Sequence, residues 1–360
     1  MLFYLLAFLM VAFLIAANLR PQQRTLPHKR PFLTADRLSV MLVCLILFLI
    51  LALQDAYANA DLMSYYTRYR SLQNYSFQSF LLQLEDMKDP VYYLAGYLFG
   101  KLGLNFYVWK AFISFVFVLG LYKLVLYHSA NIYVSFIALL SLGLYGFAFS
   151  GLRQTMAFGI LFFAYPYLKN RKLLRFILVV VLAALFHSTA LIFLAAYPIY
   201  RLNLRLRNIL ILLAIGGVVL LNANPIANLY LQLTGTDEIY AEYLESGNVL
   251  SVSGIIISGS IWLFCTVFLS RRNASKFDEH LCNLSLLALF GRILSTVWFA
   301  EFFRVSMYFS IFEFLMIADA CASKEKSSFV VRVKTAGVSL VLVAYYLISP
   351  SLNIMSYVLR

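Results

Sequence analysis

Two apolar runs between Phe149 and Pro198, separated by a basic loop at 169–175, contain the strongly polar residues Arg153, Gln154 and His187. A charged side chain inside a hydrocarbon-embedded helix costs about 2.5 to 3.5 kcal/mol, so such residues usually face a protein interior or a water-filled cavity. A guanidinium suits phosphate oxygens because its planar fork makes bidentate, charge-assisted hydrogen bonds. A neutral imidazole can accept a proton from a hydroxyl group. This stretch is therefore predicted to line a functional cavity.

Further residues with the same chemistry lie near the ends of other apolar runs. Arg304, like Arg153, lies at one end of such a run, and each could bind a diphosphate. The alternative for each arginine is an ion pair with a nearby acid, Glu301 for Arg304, or anchoring at the membrane surface. The carboxylates best placed to accept a proton from an attacking hydroxyl are Asp61, Asp89 and Glu301. A solvated loop charge is the alternative for each of them.

Two of the polar residues also admit a structural interpretation. His187 can equally be a buried histidine whose hydrogen bonds are satisfied within the protein. Arg292 lies near the middle of an apolar run, and we interpret it as structurally paired, because a lone buried charge is costly. The role of His187 therefore stays open at the level of the sequence, whereas Arg292 is predicted to have an acidic partner.

The elements that must position these residues are membrane helices. Hydrophobic residues make up 62% of the chain and charged residues 12%, whereas soluble globular proteins are about 45 to 50% apolar. The composition therefore predicts an all-α polytopic integral membrane protein. The net charge of +13 reflects Lys and Arg on the cytoplasmic side of such proteins, so a nucleic-acid partner is excluded. The four cysteines show neither metal-binding nor disulfide spacing, and no metal or cofactor is predicted.

The apolar runs predict about ten transmembrane helices within a single domain, residues 1–360. An outward-facing loop is predicted for 54–105, with a short interfacial helix at 91–103, and a smaller acidic loop at 223–253 faces the same side. The predicted spans cover residues 1–19, 38–53, 106–122, 131–149, 152–168, 208–222, 254–270, 280–300, 305–320 and 335–350.

The run from 176 to 198 could cross the membrane once or form a re-entrant hairpin. Basic clusters flank it on both sides, with Lys169 and Arg171 before it and Arg201 and Arg205 after it. Cytoplasmic loops carry the excess of Lys and Arg, so a hairpin that turns near His187 keeps both clusters inside. Irregular backbone at membrane depth is tolerated where it lines a cavity. We favour the hairpin, which puts both chain termini outside.

The outer loop combines aromatic residues with charges at helical spacing. Asp61 and Tyr65 are four residues apart, and Tyr65 and Arg68 are three apart, so on a helix they share one face. Aromatic rings can stack on flat ligands such as sugar rings. We therefore predict sugar contacts from Tyr65, Tyr69 and the polar Gln154.

The sequence resembles the EpsG family of bacterial polysaccharide biosynthesis proteins, relatives of the Wzy-type O-antigen and capsule polymerases. The order and spacing of several short motifs carry the resemblance. They are DLMSYYTRYR (61–70), DPVYYLAGYLFGKLGLNF (89–106), GLRQTMAFGI (151–160) followed by a basic loop and LFHSTALIF (185–193), and FRVSMYF (303–309).

The resemblance implies a fold similar to the GT-C glycosyltransferases and a polymerase that joins repeat units carried on undecaprenyl diphosphate at the outer face of the bacterial inner membrane. Its expected partners are the lipid-linked glycan and the bilayer, with a chain-length regulator and a flippase. Arg153, Arg304 and Arg68 are then expected to bind the diphosphate, and His187 or a carboxylate to deprotonate the acceptor. The alternatives are a membrane acyltransferase, which would transfer acyl groups, and a lipid-linked sugar flippase, for which internal repeats are expected.

Overall fold

The computed structural model describes residues 2–19, 35–85, 87–202, 218, 252–270, 276–297, 301–321 and 328–348. All regular secondary structure among them is helical, which confirms the all-α prediction. The predicted span 208–222, apart from its residue 218, and almost all of the predicted acidic loop 223–253 lie outside the described residues. Two helical stretches within the described ranges are long and apolar enough to cross a membrane, Phe106–His128 and Phe329–Ile348. The predicted number of spans stays a prediction.

The chain divides into two compact units, and each is described by itself. Residues 1–197 and 317–360 form the first unit, and residues 198–316 form the second. The helices of the first 200 residues are α1 (Leu2–Leu19), α2 (Ala35–Ala52), α3 (Ala60–Gln73), α4 (Phe77–Leu84), α5 (Pro90–Lys101), α6 (Phe106–His128), α7 (Ile132–Ser141), α8 (Leu144–Phe147), α9 (Leu152–Leu161), α10 (Tyr165–Lys169), α11 (Leu173–Phe186) and α12 (Ala196–Ile199). After residue 250 come α13 (Val252–Ser270), α14 (Lys276–Val297), α15 (Glu301–Cys321) and α16 (Ser328–Ile348).

Helices α2, α6 and α9 pack side by side in the first unit, while α1, α7 and α16 pack against one another. Gly159 of α9 lies directly against the backbone of α6, since a Cβ atom added there would be 2.7 Å from the Cα atom of Phe117. Small residues let membrane helices approach closely, which strengthens their van der Waals packing. This contact fixes α9, the helix that carries Arg153, against the longest helix of the unit.

Two predicted spans are interrupted in the structure. The run 131–149 breaks after α7, where Gly143 adopts a left-handed conformation with φ of 85°, a conformation that glycine adopts without steric cost. The run 152–168 forms α9 and then α10, and Pro166 lies in the first turn of α10. Proline lacks the N–H that a continuous helix needs, which explains why a new helix begins there.

The run 176–198 forms a hairpin. Helix α11 ends at Phe186, and a 3₁₀ segment from Ser188 to Ala195 packs back along it. The hydroxyl of Tyr197 donates a hydrogen bond to the carbonyl of Arg171 at 3.2 Å, near the start of α11. The chain therefore reverses direction at His187, as the basic clusters on both sides predict.

The described residues of the segment 54–105, which the sequence predicts to face outward, form three helices. α3 packs on α5 and α6, and α4 packs on α5. The ring of Phe80 on α4 stacks on Tyr97 of α5 with centroids 4.0 Å apart. α5 covers Pro90–Lys101, close to the interfacial helix predicted at 91–103.

In the second unit, α13 packs on α14, and a buried ion pair joins α14 to α15. Arg292 donates to both carboxylate oxygens of Glu313 at 2.7 Å and to the hydroxyl of Ser310 at 3.1 Å. Both partners are almost fully buried, with side-chain exposures of 7% and 6%. Arg292 thus has the structural acid partner that its position in an apolar run predicts.

Candidate functional site

Three distant parts of the first unit meet at the carboxylate of Asp89. Its Oδ2 atom accepts hydrogen bonds from Nη1 of Arg153 at 2.9 Å and, at 2.7 Å, from Nδ1 of His187. Its Oδ1 atom accepts the backbone N–H of Ser188 at 2.8 Å. The carboxylate is completely buried. Asp89 therefore connects the segment 54–105 to the start of α9 and to the turn of the hairpin.

The backbone of Asp89 is strained in a way that suits this role. It precedes Pro90, the first residue of α5, and adopts a left-handed conformation with φ of 64°. Aspartate visits this region more readily than most residues, and such strain persists only where the surroundings enforce it. The side chain does not cap α5, so its oxygens are free to accept the three donors of the cluster.

The environment keeps Asp89 ionised. Burial alone would raise the pKa of its carboxyl, but the hydrogen bonds from His187 and Ser188 and the charge of Arg153 together lower that pKa below its usual range. The carboxylate thus carries its negative charge at neutral pH. Because three donors already occupy it, it is suited to orient its neighbours and less suited to take up a proton.

His187 lies at the turn of the hairpin, in an extended conformation between α11 and the 3₁₀ segment. A carboxylate beside Nδ1 fixes the proton on that nitrogen, which leaves Nε2 as a proton acceptor. Nε2 makes no hydrogen bond to any residue that the structure describes. The side chain is mostly buried but 13% exposed, so it is not completely enclosed. The arrangement is that of a general base held by a carboxylate.

Arg153, in the first turn of α9, has part of its donor capacity unused. Besides Asp89, its Nη1 donates to the carbonyl of Lys88 at 3.4 Å, and its Nε donates to the hydroxyl of Tyr65 at 3.3 Å. Its Nη2 makes no hydrogen bond within the described ranges. The side chain is 23% exposed. Arg153 is therefore fixed on one side and open to an anion on the other.

Aromatic rings surround the guanidinium group. The Cζ atom of Arg153 lies 5.9 Å from the ring centroid of Tyr65 and 6.0 Å from that of Tyr93. Tyr93 also lies 5.9 Å from the Cζ atom of Arg68, and such contacts between cations and aromatic faces are favourable. Tyr69 is buried, and its hydroxyl donates to the carbonyl of Leu104 at 2.9 Å. Arg153 and Arg68 thus both lie against the ring of Tyr93.

The structure places the remaining predicted site residues elsewhere. Asp61 is exposed in the first turn of α3 and makes no contact with the Asp89 cluster among the described residues. Gln154 follows Arg153 on α9 and is buried. Arg304 is exposed on α15 in the second unit, and the side chain of Glu301 lies outside the described part of the chain. The roles predicted for these residues stay predictions.

Two members of the cluster were not predicted from the sequence. Tyr93 lies four residues after Asp89, a helical spacing that could have indicated it, since α5 begins at Pro90. The N–H of Ser188 carries no sequence signal, because every residue except proline has one. No three His, Cys, Asp or Glu side chains cluster as a metal site in the described ranges, and metal independence stays a prediction.

Residues 39–359 match the model of the EpsG family. No curated protein and no solved structure matches the chain. The family match covers most of the sequence and includes every helix that contributes to the Asp89 cluster. The chain therefore belongs to the EpsG family of Wzy-like polysaccharide polymerases, and it is a membrane protein.

Proposed function

We propose that this protein is a metal-independent glycosyltransferase that polymerises oligosaccharide repeat units carried on undecaprenyl diphosphate into a surface polysaccharide: O-antigen, capsule or exopolysaccharide. It acts at the outer face of the bacterial inner membrane, after a flippase has delivered the units and together with a chain-length regulator. The observation that carries the proposal is the double pairing of Asp89. One buried carboxylate oxygen holds both a proton acceptor, His187, and an anion-binding group, Arg153, at 2.7 and 2.9 Å.

The reaction uses these two groups on opposite sides of one bond exchange. An acceptor sugar hydroxyl attacks the anomeric carbon of the donor glycan, and its proton passes to Nε2 of His187. The new glycosidic C–O bond forms as the bond between the anomeric carbon and the diphosphate oxygen breaks. The electron pair of the broken bond stays on the diphosphate. His187 later releases its proton to water, which completes the cycle.

The leaving diphosphate gains negative charge, and the arginines stabilise it. Nη2 of Arg153 donates to its oxygens, and Arg68 on the other side of Tyr93 assists. Fixed donors of this kind typically contribute about 10²- to 10³-fold in rate, and a positioned general base about 10²- to 10⁴-fold. Asp89 keeps the imidazole in the correct tautomer.

The sugar contacts come from the same region. The ring of Tyr65 is half-buried beside Arg153, so its open side can stack on a sugar. Tyr69 contributes through packing, because its hydroxyl already bonds to Leu104. Gln154 is proposed to orient a sugar hydroxyl.

The proposal places the cluster at the outer surface of a multi-pass protein with a GT-C-like fold. The 176–198 hairpin enters the membrane from the cytoplasm and returns, with His187 at its turn. Single cysteines at positions 170 and 203 should then both be shielded from an impermeant thiol reagent added to intact cells, whereas a cysteine replacing the exposed Ser79 on α4 should react. Labelling at position 203 but not at 170 would contradict the hairpin topology.

The test of function is complementation of a deletion strain with His187→Ala. We expect normal abundance in the membrane, loss of long polymer, and accumulation of single repeat units on the lipid carrier. His128→Ala is the matched control, since that histidine packs on Tyr165 with centroids 4.9 Å apart. It should keep the polymer made per protein molecule unchanged.

Three results would overturn the proposal. Full-length polymer from the His187→Ala variant would show that His187 is not the general base. Loss of acyl groups with normal chain length would indicate the acyltransferase instead. Repeat units trapped on the inner leaflet would indicate the flippase.

A further inference from the structure

Asn59 uses the two ends of its side chain for two different helices. Its Oδ1 atom accepts the backbone N–H of Leu62 at 2.7 Å and so caps the start of α3. Its Nδ2 atom donates to the carbonyl of Phe149 at 3.1 Å. Phe149 is buried and lies three residues before Leu152, where α9 begins. One amide therefore joins the first turn of α3 to the chain that enters α9.

A second side chain converges on the same carbonyl. Nε2 of Gln54 donates to the oxygen of Phe149 at 3.3 Å, and the carbonyl of Gln54 accepts a hydrogen bond from the ammonium group of Lys110 on α6. Gln54 and Lys110 are buried, with exposures of 8% and 1%. Buried polar groups stay satisfied only in one arrangement, so such a network specifies geometry. We call the side chains of Asn59 and Gln54, with the carbonyl of Phe149, the polar bracket.

The polar bracket acts where direct packing is sparse. α3 packs mainly on α5 and α6, and α9 packs mainly on α6 and α11, whereas α3 and α9 share little surface with each other. Yet the bond between Nε of Arg153 on α9 and the hydroxyl of Tyr65 on α3 connects these two helices. The length of this Arg153–Tyr65 hydrogen bond depends on how the start of α3 is aligned with the start of α9. The hydrogen bond from Asn59 to Phe149 joins these same two parts of the chain.

We infer that Asn59, supported by Gln54, is a positioning residue that sets the orientation of the Arg153 guanidinium for the donor diphosphate by holding the first turns of α3 and α9 together. The inference rests on the proposed function and extends it to residues that do not touch substrate. A small displacement of a binding group is costly, because a shift of about 1 Å can lower a rate by about 10²-fold.

Asn59→Ser separates the two roles of the side chain. Serine is as good a helix N-cap as asparagine, but it is too short to reach Phe149 and has no amide donor. Asn59→Asp also keeps the cap and places a second acceptor against the carbonyl. In vesicles supplied with lipid-linked repeat units, both variants should raise KM for the donor about five- to tenfold, the scale of one hydrogen bond, with unchanged membrane abundance.

Two comparisons separate positioning from general loss of structure. Asn105 caps α6 through the N–H of Val108 at 3.1 Å, and Asn105→Ser should leave both kinetic constants unchanged. The double variant Asn59→Ser with Tyr65→Phe should have a KM for the donor no higher than that of the more impaired single variant. The reason is that both substitutions act through the contact between Tyr65 and Arg153. Wild-type kinetics of Asn59→Ser, or additive losses in the double variant, would overturn the inference.

A spectroscopic measurement tests the polar bracket even if polymerase activity is not found. Spin labels on Ser64 of α3 and on Ser150, just before α9, report the distance between the two helix starts in a background where the four buried cysteines are replaced. The distance distribution should broaden in Asn59→Ser and stay narrow in Asn105→Ser. An unchanged distribution in Asn59→Ser would contradict the bracket, whereas absence of polymer from the wild-type protein would contradict the proposed function alone.

Discussion

Each unit of this protein contains a buried pair of an arginine and a carboxylate, and the two pairs differ in what they leave unsatisfied. In the second unit, Arg292 makes a bidentate pair with both oxygens of Glu313, and the arginine is 7% exposed. In the first unit, Arg153 gives one nitrogen to Asp89 and is 23% exposed. We call Arg292–Glu313 the closed pair, because both carboxylate oxygens bind the same arginine. We call Arg153–Asp89 the open pair, because the arginine binds the carboxylate through one nitrogen only.

The open pair keeps its capacity for a ligand. Asp89 divides its oxygens among an arginine, a histidine and a backbone N–H, so Arg153 and His187 each use only part of their hydrogen-bonding capacity on it. Nη2 of Arg153 and Nε2 of His187 have no partner among the described residues. Glu313 instead neutralises a single arginine. A closed pair holds two helices together, whereas an open one leaves donors and acceptors for a substrate.

The largest effect expected from this comparison is on stability, at the closed pair. Arg292→Ala leaves Glu313 buried without its partner, which typically costs about 3 to 5 kcal/mol. We expect membrane abundance and unfolding temperature to fall sharply, while each surviving molecule keeps its activity. Quantitative immunoblotting of membranes together with a thermal unfolding assay measures both.

The double variant Arg292→Met with Glu313→Leu is the control for that prediction. Replacing both charges by apolar side chains of similar volume removes the uncompensated charge. It should recover most of the lost abundance. A double variant as unstable as Arg292→Ala would show that the charges themselves, rather than their pairing, are required.

The next largest effect is on activity, at the open pair. Arg153→Lys keeps the charge but replaces a planar fork by a single ammonium, which cannot bond Asp89 and a diphosphate in the same geometry. We expect polymer per molecule to fall about tenfold to a hundredfold, as for the loss of one hydrogen bond to a charged group. The chain-length profile in a deletion strain reports it. Wild-type chain lengths from Arg153→Lys at equal protein level would show that Arg153 only anchors the protein at the membrane surface.

A smaller effect is expected at Tyr65, whose hydroxyl accepts from Arg153. Tyr65→Phe removes one neutral acceptor, so polymer per molecule should fall about two- to tenfold, with normal abundance. Tyr69→Phe is the matched control, because its hydroxyl bonds to the carbonyl of Leu104. It should lower the unfolding temperature and leave activity per molecule intact. If Tyr65→Phe lowered only the unfolding temperature and Tyr69→Phe lowered the activity per molecule, the contact between Tyr65 and Arg153 would be a packing contact.

The buried or partly buried polar residues of both units were partly predictable from the sequence. Arg153, His187 and Arg292 stand out because they interrupt apolar runs, where an unexplained polar group is costly. The reversal of the chain at His187 was also predictable, since basic residues lie on both sides of the run. These signals are local and depend on one stretch of chain at a time.

The pairing of these residues was not predictable. Asp89 is 64 residues from Arg153 and 98 residues from His187, and Asp61 has the same side-chain chemistry in the same segment, 54–105. Only the packing of α5 against α11 selects Asp89. The bond from Asn59 to Phe149 spans 90 residues and ends on a backbone carbonyl, which no sequence pattern marks.

Matched substitutions of the two carboxylates, assayed side by side, test the account most directly. Asp89→Asn and Glu313→Gln each replace a carboxylate by an amide of the same shape, and the measurement is polymer made per protein molecule together with membrane abundance. Asp89→Asn should keep near-normal abundance and lose about 10²-fold or more in polymer, because a neutral amide with one acceptor oxygen cannot accept from His187, Arg153 and the N–H of Ser188 together. Glu313→Gln should lose abundance and keep its polymer per molecule. Normal polymer from Asp89→Asn, or inactive but abundant Glu313→Gln, would contradict the assignment of the open pair to catalysis and the closed pair to structure.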